Sequence, residues 1–163
     1  MVEPGRDAAG NPEPEAATVE CLSDLLHTSL RPLVVATPRE TVLAAIQRMN
    51  DEGVGSVLVL EGRRLVGIFT ERDVLRRVVG AGRAPDDVRL ADVMTSDVVT
   101  SPAEASIDDV AELMRSRRIR HVPVVDAAGG VIGLVSIGDV NAHRIVRCEV
   151  ALHQVEDYVW RRS

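Results

Sequence analysis

Between Leu33 and Asp73 the spacing of hydrophobic positions changes several times. A short apolar run, Leu33-Val34-Val35-Ala36, stops at Thr37-Pro38, where the proline disfavours helix in the residue before it and opens a turn. Val42, Ala45, Ile46 and Met49 then recur at the i, i+3, i+4, i+7 spacing of one buried helical stripe. Two runs rich in β-branched residues follow, Ser56–Leu60 and Leu65–Phe69, separated by Glu61-Gly62-Arg63, which predicts a hairpin. A closing helix is predicted to begin near Glu71.

The same pattern returns about 65 residues later. Val98-Val99-Thr100-Ser101-Pro102 repeats the strand and its stop, and Ile107, Val110, Leu113 and Met114 repeat the helical stripe. Val122–Val125 and Val131–Val135 repeat the hairpin around Ala127-Ala128-Gly129-Gly130, and a closing helix begins near Ile137. Pro38 aligns with Pro102, Met49 with Met114, Gly67 with Gly133 and Asp73 with Asp139. Each copy reads as a βαββα unit, too small to close a core alone, so the two are expected to pack face to face as an α/β (α+β) fold.

Outside the copies, residues 1–17 hold Pro4, Gly5, Gly10, Pro12 and Pro14 among small and acidic residues and are expected to form a disordered tail. Val19, Leu22, Leu25 and Leu26 predict a lead-in helix, so the first repeat with its lead-in spans 18–85. Gly80 to Asp87 forms a joint, Leu90–Met94 a short helix, and the second repeat spans 86–145. A helical extension over 146–163 continues a stripe of Ile145, Cys148, Leu152, Val155 and Val159, which either closes over its own domain or pairs with a second subunit as a homodimer.

Composition narrows the function classes. Aromatic residues are 2% of the 163 residues, so Val, Leu, Ile and Ala must fill the core, as suits strands covered by helices. A net charge of −6 makes nucleic acid an unlikely partner, because affinity for it comes largely from clustered cations. No apolar run spans a bilayer and the start has no leader pattern, so a cytoplasmic location is expected. Cys21 and Cys148 form no ligand pattern and no metal site is expected.

Chemistry concentrates where each hairpin meets its closing helix, at Gly67-Ile68-Phe69-Thr70-Glu71-Arg72-Asp73 and Gly133-Leu134-Val135-Ser136-Ile137-Gly138-Asp139. The hydroxyl falls at the strand end and the carboxylate in the first helical turn, so both face one cleft. A helix start offers free N–H groups to phosphate oxygens, and a carboxylate can accept both hydroxyls of a ribose diol. The same residues also form a capping pattern, in which Thr70 or Ser136 satisfies the helix start and Asp73 or Asp139 complements its dipole.

These two motifs, with Asp92-Val93-Met94-Thr95 and Arg120-His121-Val122-Pro123-Val124, make residues 33 to 142 resemble a cystathionine-β-synthase (CBS) domain pair, or Bateman module, of the free-standing bacterial kind. The resemblance implies an adenine nucleotide ligand, with AMP or ATP foremost and NADH or S-adenosylmethionine as other candidates, and no catalytic cofactor. Asp73 and Asp139 would hold the ribose, and Thr70, Ser136, Arg120, His121 and Arg72 the phosphates. The adenine walls would be Val35, Ala36 and Thr37, Val99, Thr100 and Ser101, with Val54, Gly55 and Ser56 in one copy and Val122 and Pro123 in the other. Gly55-Ser56 aligns with Arg120-His121, which predicts unequal clefts, the one served by Arg120 and His121 being tighter. His121 also fits a structural role, and Arg72 also fits a solvent-facing one.

Three functions follow. A sensor would bind the nucleotide and shift the angle between repeats; a scaffold would keep vestigial clefts and work through its apolar helix faces; an enzyme is the weakest reading, since no nucleophile–base pair, metal spacing or phosphate loop is present. Whether each cleft is completed by its own repeat or by the other is open.

Overall fold

The computed structural model describes residues 21–28 and 32–160, with side chains over 21–27 and 32–153. The expected tail lies outside those residues. The first repeat contains β1 (Val35–Ala36), α2 (Val42–Glu52), β2 (Ser56–Glu61) and β3 (Arg64–Thr70), preceded by α1 (Leu22–Thr28). Its closing helix, α3, begins as a helical turn at Glu71–Asp73, widens to a π-helix over Val74–Val78 and tightens to a 3₁₀ turn over Val79–Ala81. The short α4 (Leu90–Val93) leads to β4 (Ser101–Pro102), α5 (Ile107–Arg117), β5 (His121–Val125), β6 (Val131–Ser136) and the long α6 (Ile137–Trp160).

Each repeat builds a three-stranded sheet in sequence order, β1-β2-β3 and β4-β5-β6, with the first pair parallel and the hairpin antiparallel. Hydroxyls cap the starts of the central helices: Thr41 accepts from Ala44 N at 3.2 Å, and Ser106 accepts from Asp108 N at 3.2 Å. The predicted stripes point inward, with Val42, Ala45 and Met49 buried in one core and Ile107, Val110 and Met114 in the other.

Ladder register corrects one alignment. Ala36 pairs with Val59 and Ser101 with Val124, so Ser101 is the counterpart of Ala36, and Pro102 of Thr37. Pro38 follows its strand, whereas Pro102 is the last residue of one. Proline is tolerated there because a short edge strand leaves its missing N–H unused.

The lead-in segments are exchanged between repeats. Leu22 and Leu25 of α1 are buried in the second core, and α1 is tied there by Leu22 N to Ala105 O at 3.0 Å and Ser23 N to Ala103 O at 2.9 Å. Val88, Leu90 and Val93 of the inter-repeat segment lie instead in the first core, where Thr95 N donates to Ile68 O at 2.9 Å. So the lead-in helix expected to pack with the first repeat belongs spatially to the second.

The motif glycines make this exchange possible. A Cβ on Gly67 would lie 2.4 Å from Met94 Sδ, and one on Gly133 would lie 2.4 Å from Leu26 Cδ2. Each lead-in therefore crosses its sheet at a point where no side chain stands.

On α6, Ile145, Cys148 and Leu152 are exposed, as are Val146 and Val150, so this part of the stripe does not close over its own repeat. The side chains of Val155 and Val159 lie outside those described. The helix is held to α5 by Arg144 and Arg147, both on Asp108 of the first helical turn. Hydrogen bonds from Arg144, with the charges of both arginines, hold the Asp108 carboxyl below its ordinary pKa. No helix among the described residues is long and apolar enough to cross a membrane.

Candidate functional site

Both strand-to-helix junctions are capped by their own motif. Asp73 Oδ2 accepts from Thr70 N at 2.9 Å and Thr70 Oγ1 at 2.8 Å; Asp139 Oδ2 accepts from Ser136 N at 2.8 Å and Ser136 Oγ at 2.6 Å. In each case one carboxylate oxygen is committed to the backbone turn and the other is left for a second role. The capping role and the cleft role are thus held by the same group.

Two clefts sit at these junctions, and each is completed by the other repeat. The Asp73 cleft, about 350 Å³, joins Thr70, Glu71, Arg72, Asp73, Arg76 and Arg77 of the first repeat to Ile119, Arg120 and His121 of the second. The Asp139 cleft, about 210 Å³, joins Ser136, Asp139, Ile132 and Leu134 to Val54, Gly55 and Ser56, with Leu26 and Pro32 to Val34 on the far wall. Within each repeat a backbone tie joins the strand start to the closing helix: Gly55 O accepts from Glu71 N at 3.1 Å and Arg120 O from Ile137 N at 2.9 Å. Each tie anchors a strand start to its own helix. That strand start also lines the opposite cleft.

The charges differ sharply. The Asp73 cleft carries four arginines, Arg72, Arg76, Arg77 and Arg120, against Glu71 and Asp73. Asp73 is 9% exposed and its Oδ1 lies 3.4 Å from Arg77 Nε. Arg77 also donates to Val93 O at 2.7 Å, so it is a buttress as well as a charge. Arg72, exposed at the mouth of this cleft, donates to Arg118 O of the second repeat at 3.1 Å, a contact across the two halves. His121 lines both clefts.

Several expected wall residues lie elsewhere. Val35, Ala36 and Thr37, like Val99, Thr100 and Ser101, line neither cleft. Ala36 and Ser101 point into the interior, and Val35 O accepts a hydrogen bond from Arg48, so the backbone group assigned to the adenine edge is occupied. Val122 belongs to the second core and Pro123 is buried. Pro32, Leu33 and Val34, three residues upstream of the first expected segment, line the Asp139 cleft. Arg76 and Arg77 escaped the sequence reading because their position depends on the wide turn of the π-helix, which no local motif announces. Among the described residues no cluster of potential metal ligands occurs.

Comparison with known proteins accords with this geometry. The CBS domain family matches residues 22–80 and 90–144. A mitochondrial CBS domain-containing protein of Arabidopsis thaliana is 38% identical over 125 residues, covering 74% of this chain and 58% of that protein. The chain spans 57% and 58% of the length of the first two curated relatives it matches. A CBS-domain protein from Burkholderia ambifaria has a TM-score of 0.75 at 35% identity, covering 78% of this chain and 95% of that one. A CBS domain protein from Pyrobaculum aerophilum, solved in complex with AMP, has a TM-score of 0.70 at 27% identity, covering 82% of this chain and 99% of that one. Two matched repeats, two mixed three-stranded sheets and neighbours of the same architecture lead to one conclusion: the chain belongs to the CBS domain family, as a tandem pair.

Proposed function

We propose that this protein is a non-catalytic, cytoplasmic regulatory module that binds an adenine nucleotide, with the phosphates in the Asp73 cleft. The observation that carries the reading is the convergence of Arg72 and Arg76 from one repeat with Arg120 from the other. Guanidinium groups from two bodies that move relative to each other can report a phosphate only if the bound anion favours one relative angle. The AMP held by the Pyrobaculum aerophilum relative supports the ligand class. Thr70 and the α3 start would contribute to the phosphate and Asp73 to the ribose, after release of its contact with Arg77.

The test is titration calorimetry against AMP, ATP, NADH and S-adenosylmethionine, paired with hydrogen exchange of the two repeats. AMP or ATP is expected to give heat and to protect β5 and α3 together. No heat with any of the four, at protein concentrations that detect high-micromolar binding, overturns the proposal.

A second reading, pairing of two copies through α6, is favoured by the exposed Ile145, Val146, Val150 and Leu152 on one helix. Sedimentation equilibrium should then give twice the chain mass, and Val150→Glu should return it to the monomer.

A further inference from the structure

We infer that Arg118 is a specificity-determining residue of the Asp73 cleft, which selects a nucleoside triphosphate over the monophosphate. The inference rests on the proposal that phosphates occupy this cleft, and it names what sets their number. Among the described residues Arg118 is the one non-glycine residue at positive φ, with a φ of 54°. It ends α5 in the left-handed conformation, its N–H returning to Arg115 O and Met114 O. The matched residue at the end of α2 is Gly53, at a φ of 62°, with its N–H returning to Asn50 O and Met49 O. A Cβ is unfavourable in this conformation, so glycine is what the turn itself favours. The second repeat instead holds a long cation there. Backbone strain of this kind clusters at ligand sites, where the side chain has a use that outweighs it.

The surroundings of Arg118 supply that use. Its carbonyl accepts from Arg72 at 3.1 Å, and Arg72 lines the Asp73 cleft, whereas Arg118 lines neither cleft. The charges therefore lie in order. Arg76, Arg77, Arg120 and His121 stand at the cleft with the acidic Glu71 and Asp73, Arg72 stands at its mouth, and Arg118 lies beyond it. A monophosphate whose ribose is held by Asp73, 9% exposed, ends within the inner set. A chain of three phosphates continues outward past Arg72 and brings its terminal charge to Arg118.

Nothing else on α5 does the same. Arg115 is taken by Glu112 at 2.6 Å, while no carboxylate among the described residues pairs with Arg118. In the first repeat Gly53 stands just before Val54, a residue of the Asp139 cleft, so the outer cation has no counterpart there.

The test is calorimetry on the full chain with AMP and ATP in magnesium-free buffer, comparing wild type with Arg118→Gly, Arg118→Lys and Arg117→Ala, together with urea unfolding of each. Arg118→Gly keeps the carbonyl that Arg72 uses and removes only the side chain. Wild type is expected to bind ATP more tightly than AMP. For an exposed charged contact, ATP affinity should fall roughly three- to tenfold in Arg118→Gly while AMP affinity changes by less than about twofold. The urea midpoint of Arg118→Gly should equal or exceed that of wild type, because the left-handed strain is relieved. Arg118→Lys, which restores the charge, should keep most of the ATP preference. Arg117→Ala, which removes an exposed neighbour from the last turn of α5, should leave both affinities unchanged. An ATP-to-AMP ratio that is the same in Arg118→Gly as in wild type, an equal loss in Arg117→Ala, or a lowered midpoint in Arg118→Gly overturns the inference and leaves the proposed function standing. If neither nucleotide binds the wild-type chain, both fall.

Discussion

The two repeats share a backbone plan and differ in what they place at the same points of it. Thr41 and Ser106 cap the central helices, Gly67 and Gly133 admit a crossing segment, and Asp73 and Asp139 close the same turn. Arg72 against Gly138, Arg76 against Ala142 and Arg120 against Gly55 share nothing but position. The first group is fixed by backbone geometry, which both halves must satisfy to fold. The second group faces the clefts, where each half is free to acquire its own chemistry.

The largest test of this comparison is at the glycines. Overpacking a close contact typically costs about 1–3 kcal/mol, so Gly133→Ala, which drives a methyl against the branched Leu26, is expected near the upper end. Gly67→Ala faces Met94, whose unbranched chain can swing aside, and is expected near about 1 kcal/mol. Urea unfolding of both variants checks the ranking, and Leu26→Ala added to Gly133→Ala should recover part of the loss. Equal destabilisation would mean that the two crossings are not relieved in the way their side chains suggest.

Those glycines also mark the limit of what the chain reveals when read alone. Periodicity gave the strands and helices because burial of Val42, Met49, Ile107 and Met114 is a local pattern with a fixed period. Repetition identified Gly67 and Gly133 as matched, but their neighbours, Met94 and Leu26, come from segments exchanged between repeats, and no local spacing encodes an exchange. The same holds for the clefts. Thr70, Asp73, Ser136 and Asp139 were legible as a motif, whereas the meeting of Arg120 with Arg72 across the halves is a product of packing. Val35 to Thr37 and Val99 to Ser101 were expected at the clefts, but Ala36 and Ser101 alternate inward, a parity that the prolines obscured, and Pro32, Leu33 and Val34 line the Asp139 cleft.

Next in size is the phosphate preference. A hydrogen bond to a charged group contributes about 1.5–3 kcal/mol, so Arg120→Ala is expected to weaken ATP by roughly tenfold to a hundredfold. Adenosine binding should be unchanged by the same substitution. The wild-type affinity for ATP should also fall steeply with added salt while that for adenosine stays level, because the screened arginines act on phosphates and adenosine has none. Parallel salt dependence for the two ligands would erase the distinction between the clefts.

The smallest effect concerns how the repeats end. At matched positions of the central helices the first repeat has Leu43 and the second Asp108, and only Asp108 ties down a continuing helix, through Arg144 at 2.6 Å. Because this carboxyl is held below its ordinary pKa when folded, its contribution is present above the unfolded pKa and disappears as pH falls through the lowered folded value. The side chains are about half exposed, at 48% for Arg144 and 56% for Asp108, so screening limits the contribution to roughly 0.5 kcal/mol. Asp108→Asn should therefore lower stability slightly at pH 7, and the gap from wild type should shrink as pH falls below the ordinary carboxylate range, or in 1 M salt. A gap that persists under acid would show that Asp108 acts at the start of α5 by shape and not by charge, and the difference between the repeats would then lie elsewhere.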